Sequence, residues 1–250
     1  MPMIEIPAAD GTAEAYVAGH EVGEPRPGVL FFIDAFGLRL QIEQMVDRIA
    51  NWGYVVLAPN VFYRSGNAAS LAPSTDLRKP GAREAFLENV KPRMQDFTVD
   101  RARRDITAYL DVLRSLPAVA ASGIGVTGFC LGARIATYAA GDHPDDVAAV
   151  GGFHGGRLVT DADDSPHLGL ANARAEFVYG HAENDASMLP EQVAALGKAL
   201  AAHGLRAKNE IYEGAAHGYT MADTSMYDEV AAERAFDELR SLFERSLTRR

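Results

Sequence analysis

Short apolar runs alternate along this chain with longer segments whose apolar residues recur at helical spacing. Gly28-Val29-Leu30-Phe31-Phe32-Ile33 is an unbroken apolar run of strand length, as expected of a strand covered on both faces. Residues 40–52 carry Ile42, Met45, Val46 and Ile49 on one helical face and stop at Gly53. A second buried strand follows over 54–59. Residues 60–82 are rich in Ser, Asn, Pro and Gly without a period and predict a long loop. Helical spacing returns over 97–116, and Pro117 follows its end. A third strand over 124–127 leads into a helix that runs through Ala140 and is stopped by Gly141. Strands are expected over 147–153, 176–179 and 207–212, and helices over 189–202 and 228–247. Residues 3–6 and 13–18 predict an opening hairpin.

Strands that alternate with helices of this length indicate an α/β fold, with a mostly parallel central sheet and helices on both faces. No repeat, low-complexity tract or shift in composition divides the chain, so residues 1–250 are expected to form a single domain.

Composition removes several function classes. With 24 basic and 34 acidic residues the formal charge is −10, whereas a nucleic-acid binder needs a basic face to offset phosphate. No run approaches the roughly eighteen apolar residues of a membrane span. Met1-Pro2-Met3-Ile4-Glu5 lacks the basic and apolar segments of a signal peptide, so a cytoplasmic location is expected. A single cysteine, Cys130, excludes an internal disulfide and argues against structural zinc. No acid cluster stands at metal-ligand spacing from His143 or His181, so no metal or cofactor is expected.

Cys130 lies in Gly128-Phe129-Cys130-Leu131-Gly132, a G-x-C-x-G sequence between a strand and a helix. A sharp turn there lifts a side chain above the carboxyl edge of the sheet, and the glycines allow neighbouring backbone to come close. The helix N-terminus directs unpaired N–H groups at the same point, which favours a thiolate and a developing oxyanion. A thiol nucleophile needs a base, and the base needs a group that fixes its tautomer. Asp185 follows the strand at 176–179 and His217 follows the strand at 207–212, which places both on that edge. Glu183 competes with Asp185 on the same loop. The chain order of nucleophile, acid and histidine is that of α/β-hydrolases. His154, in the glycine-rich segment 151–156 after another strand, is a further candidate at the mouth of the site.

These motifs resemble the dienelactone hydrolase family, a cysteine-dependent branch of the α/β-hydrolases, over nearly the whole chain. Ile33-Asp34-Ala35-Phe36-Gly37 is similar to the family's Glu-x-x-Gly segment, and Leu57 to Arg64 is similar to its A-P-D-L-Y-type segment. The resemblance implies an α/β-hydrolase fold that opens an ester or lactone through an acyl-enzyme. Cys130 would be the nucleophile, His217 the base, Asp185 the orienting acid, and the N–H groups of Leu131 and Ala35 the oxyanion hole. Asp34, Phe36, His154 and Met221 would lie around the substrate.

Two positions depart from the pattern. Asp34 stands where the namesake enzymes use a glutamate to hold the resting thiol, and Met221 stands where they place a substrate-binding arginine. A more apolar pocket near His217 is therefore expected, with Arg39, Arg64, Arg78, Arg83 and Arg157 as replacement cations. Alternative readings are a broad carboxylesterase or thioesterase of the same fold, or a non-catalytic ligand-binding protein. The expected partner is a small-molecule ester or lactone, with the chain a monomer or homodimer.

Overall fold

The computed structural model describes residues 3–21 and 23–247. Its strands are β1 Met3–Ala8, β2 Gly11–Ala18, β3 Gly28–Phe32, β4 Val55–Pro59, β5 Ile124–Phe129, β6 Val147–Phe153, β7 Glu176–Asn184 and β8 Ala207–Ala216. Its helices are α1 Leu40–Ala50, α2 Ala68–Leu71, α3 Ala82–Asp96, α4 Val99–Ser115, α5 Leu131–Asp142, α6 Pro190–Ala202 and α7 Glu229–Ser246, with a 3₁₀ turn over Pro166–Ala171. The strands form one sheet in the order β1-β2-β4-β3-β5-β6-β7-β8. The β1–β2 hairpin joins β4 antiparallel, and every pairing from β4 to β8 is parallel.

The apolar runs explain the centre of this α/β sheet. Every residue of β3, β4 and β5 is buried, as in a sheet covered on both sides. A side chain at Gly28 would meet Leu113 of α4, whereas one at Gly125 would meet Phe243 and Leu247 at the end of α7. Gly125 is in register with Val29, the neighbour of Gly28, and successive strand residues point to opposite faces. The two helices therefore cover opposite sides of the sheet. Thr98 and Asp228 begin α4 and α7 by accepting the N–H groups of Arg101 and Ala231.

The chain leaves β3 for β4 on one side and returns past it to β5 on the other. The carboxyl ends of β3 and β5 therefore meet at a topological switch point, where open α/β sheets bind ligands.

Four expectations need correction. Helix α3 falls where no helix is predicted: its side chains are mostly exposed, only Val90 and Arg93 are buried, and Pro92 lies inside it. The predicted long loop at 60–82 contains the short helix α2, capped by Asn67. Gly141 does not stop α5, which continues to Asp142. A Cβ at Gly141 would press on the backbone of Gly169, so that glycine serves close packing. Strands β7 and β8 also run past their predicted ends, pairing Asn184 with Ala216. Among the described residues no helix is long and apolar enough to cross a membrane.

Candidate active site

Cys130 occupies the turn between β5 and α5 with φ 55° and ψ −115°, a conformation costing a non-glycine residue about 1–3 kcal/mol. The surroundings hold it there. Its N–H donates to the Phe153 carbonyl at 3.0 Å. A Cβ at Gly128 would overlap the backbone of Gly132, and one at Gly132 would overlap the Phe32 carbonyl. The G-x-C-x-G spacing is thus a steric requirement for passing α5 this close to β3 and β5. Leu131 begins α5, so its N–H is one that the helix leaves without an internal partner.

Strands β7 and β8 end at neighbouring points, and the residue after each reaches Cys130 as a chain of contacts. His217 Nε2 lies 3.0 Å from Cys130 Sγ, and His217 Nδ1 lies 2.6 Å from Asp185 Oδ2. The other Asp185 oxygen accepts the Ser187 N–H at 2.8 Å and the Ser187 hydroxyl at 2.6 Å. Burial alone would raise the Asp185 pKa. The His217 hydrogen bond and charge, with the two Ser187 donors, outweigh it and hold the carboxyl below its ordinary value. Burial likewise works against a charged His217, yet its electrostatic interaction with the Cys130 sulfur and the Asp185 hydrogen bond push its pKa up to about 10. Glu183 is turned away and accepts the Gly214 N–H at 2.8 Å.

The segment after β3 is fixed by two arginines. Asp34 accepts the Phe36 N–H at 3.0 Å and is gripped by Arg39 at 2.7 and 3.0 Å. Arg39 also binds Asp223 at 2.6 and 3.0 Å, joining the Asp34 loop to the His217 loop. Arg93 Nη2 donates to the Ala35 carbonyl at 2.7 Å and orients that peptide. Burial pulls the Arg93 pKa down to about 10, which still leaves it charged at neutral pH.

His154 is fully buried with φ 38° and places its Nε2 2.8 Å from Thr220 Oγ1. Its ring meets that of His217 edge-on, with centroids 5.3 Å apart. Burial first, and then the charge of His217, push its pKa well below the usual value, so it is neutral.

The profile of the dienelactone hydrolase family matches residues 13–247. The chain belongs to the dienelactone hydrolase family. A candidate carboxymethylenebutenolidase of Methylorubrum extorquens is 30% identical over 159 residues, covering 64% of this chain and 50% of that protein. The aligned part is thus half the length of that relative. Protein usf of Aquifex pyrophilus is 26% identical over 98% of this chain and 99% of its own. The crystal structure of a dienelactone hydrolase-like promiscuous phosphotriesterase from metagenomic libraries superimposes with a TM-score of 0.79. It is 21% identical and covers 99% of this chain and 98% of that one. Thermogutta terrifontis esterase 2 gives a TM-score of 0.69 at 14% identity, over 100% and 96% of the two chains. These two structures share the α/β-hydrolase fold.

This member of the dienelactone hydrolase family, a hydrolase of that type, has two spaces at Cys130. A small cavity of about 50 Å³ is lined by Cys130 and His217 together with Asp34, Phe36, His154 and Met221, so the four predicted neighbours do converge. A larger cleft of about 810 Å³ runs from Cys130, Ala35 and Leu131 along the apolar faces of Leu87, Val90, Met94 and Phe97.

The proposed replacement cations separate clearly. Arg39 is held by Asp34 and Asp223, Arg64 by Asp105 and Asp10, and Arg78 by Asp76. Arg83 reaches the small cavity and Arg157 the cleft. Sequence reasoning missed Arg93, Arg134, Ser187 and Asp223. Only Arg134 carried a signal, lying one helical turn past Cys130 on the same face of α5. Among the described residues no group of His, Cys, Asp and Glu is placed to hold a metal ion.

Proposed function

We propose that the chain hydrolyses an ester or lactone through an acyl-enzyme on Cys130. The observation that carries this reading is the unbroken contact chain from Cys130 Sγ to His217 at 3.0 Å and from His217 to Asp185 at 2.6 Å. The 3.0 Å contact between His217 Nε2 and the sulfur lets the two react as thiolate and imidazolium, the reactive form of a cysteine nucleophile.

In the proposed mechanism Cys130 sulfur attacks the carbonyl carbon. The N–H groups of Leu131 and Ala35 stabilise the oxyanion, the first directed by the start of α5 and the second lying in the segment after β3, where Arg93 holds the next peptide through the Ala35 carbonyl. His217 Nε2 gives its proton to the departing alkoxide, leaving a thioester on Cys130. In a lactone that alkoxide remains tethered to the acyl group. Water then attacks the thioester while His217 takes its proton, and the carboxylic acid leaves as the thiolate–imidazolium pair re-forms. Asp185 keeps Nδ1 protonated throughout, so that Nε2 faces the sulfur.

The name borne by the Methylorubrum relative denotes the opening of a butenolide, which is an unsaturated lactone. We place this chain's substrate in the same broad class of esters and lactones. The test is hydrolysis of p-nitrophenyl butyrate by the wild type and by Cys130→Ala. The wild type should release p-nitrophenol with turnover, and Cys130→Ala should fall to the solution rate. Turnover by the alanine variant at the wild-type rate would overturn the proposal.

A further inference from the structure

Opening a lactone leaves the alkoxide tethered to the acyl group, so the chain still fills the cleft once the thioester has formed. The water that completes the reaction then needs a second route to the same carbon. The small cavity is lined by both Cys130 and His217. It offers about 50 Å³ to water centres, against the roughly 10–15 Å³ that one molecule needs, so it admits a few waters and no acyl chain. Phe36 and Met221 give it apolar walls. Its other polar side chains are mostly committed. Asp34 is taken by Arg39 and the Phe36 N–H, Thr224 donates to the Met221 carbonyl at 3.0 Å, and Arg83 lies 3.6 Å from Glu84. His154 is the exception. The residue is fully buried, and among the described residues its Nδ1 has no hydrogen-bond partner, a costly state for a polar atom. The fold fixes this ring. The His154 N–H donates to the Gly180 carbonyl at 2.8 Å, holding a left-handed backbone with φ 38°, and Nε2 meets the Thr220 hydroxyl at 2.8 Å. The ring lies edge-on to that of His217 with centroids 5.3 Å apart, a span suited to a bridging water.

We infer that the small cavity is the site of the deacylating water, and that His154 Nδ1 holds this water against the Cys130 thioester. The inference rests on the acyl-enzyme reading and gives its second half-reaction a place. While the hydrogen bond to Nδ1 persists, the water oxygen bonds to the thioester carbon and one water proton passes to His217 Nε2. The carbon–sulfur bond then breaks, its electron pair stays on the Cys130 sulfur, and the free acid leaves through the cleft. A neutral His154 suits this position, because a cation there would repel the imidazolium that forms on His217 during the step. Water already fixed beside the reacting carbon needs no ordering at the moment of attack.

A single-turnover experiment separates the two half-reactions. With protein in excess over p-nitrophenyl acetate, release of p-nitrophenol reports acylation, and rapid-quench mass spectrometry follows loss of the acetyl group from Cys130. His154→Phe keeps a ring and removes both nitrogens. It should leave acylation within about threefold and prolong the acetyl-enzyme lifetime about ten- to a hundredfold, the scale of one hydrogen bond lost from the deacylation step. His154→Asn retains a polar atom at the position of Nδ1 and tolerates a positive φ, so its acetyl-enzyme should decay faster than that of His154→Phe. An unchanged lifetime in His154→Phe, equal slowing of both steps, or equal lifetimes in the two variants would overturn the inference. A crystal structure of the free wild-type protein gives a readout that needs no hydrolysis. An ordered water in the cavity about 2.7–3.2 Å from Nδ1 is expected, and a dry cavity would overturn the site. If no acetyl adduct forms on Cys130, the acyl-enzyme proposal fails and the role of the water falls with it, while the crystal structure still decides whether the cavity is a water site.

Discussion

The guanidinium of Arg39 lies 3.7 Å from the sulfur of Met221, although the two residues are 182 positions apart. Position 221 lacks the arginine that the family pattern suggested, yet a guanidinium is present beside it, delivered from the loop after β3. This cation is not available to a ligand, because Asp34 and Asp223 occupy its donors. The Asp34 carboxylate is correspondingly committed to Arg39 and to the Phe36 N–H, and both charges of the Asp34–Arg39 pair are buried.

That pairing predicts a large stability effect at a position outside the sheet. Arg39→Leu leaves Asp34 buried without its counter-charge and should cost about 3–5 kcal/mol, measured by urea denaturation. Asp34→Asn/Arg39→Leu should recover a substantial part of the loss, since no uncompensated charge remains. An Arg39→Leu protein as stable as the wild type would show that the pair contributes nothing to holding the two loops together.

Asp185 and Glu183 stand two residues apart but face different ways. Asp185→Asn should lower kcat by about 10³–10⁴ by releasing the His217 tautomer, with the fold intact by circular dichroism. Glu183→Gln removes only an acceptor for the Gly214 N–H and should change kcat by less than about threefold. The opposite ranking would mean that the histidine takes its orientation from elsewhere.

The protonation state of His217 can be read directly. With a folded value near 10 against about 6.5 for a free imidazole, the proton is bound more tightly in the folded protein. The stabilisation from that shift is complete below the free value and is lost as pH rises through about 10. Nitrogen NMR of labelled histidine should show an imidazolium at pH 8. Cys130→Ser removes the anionic partner and should move the titration to lower pH. A wild-type His217 that is neutral at pH 8 would contradict the thiolate–imidazolium pair.

The parts of the site that could be read from sequence share one property: each is fixed by a local backbone event. Cys130 sits between two sterically required glycines, and Asp185 and His217 each follow the last residue of a strand, so strand order alone brings them to one edge. Residues that act from a distance left no such trace. Arg93 works from α3, a helix too exposed to show an apolar stripe, and Arg39 reaches Met221 only once the sheet has assembled. The left-handed backbone of Arg157 was equally hidden, because an arginine does not signal a positive φ.

The central claim is that Cys130 carries the acyl group, and trapping the intermediate tests it most directly. The wild type would be mixed with p-nitrophenyl acetate, quenched in acid on the millisecond scale and analysed by intact-protein and peptide mass spectrometry. The account predicts a transient adduct with the mass of one acetyl group, located on the peptide containing Cys130, removed by neutral hydroxylamine and absent from Cys130→Ala. An acyl adduct on a different residue, or steady turnover that continues undiminished in Cys130→Ala, would contradict it.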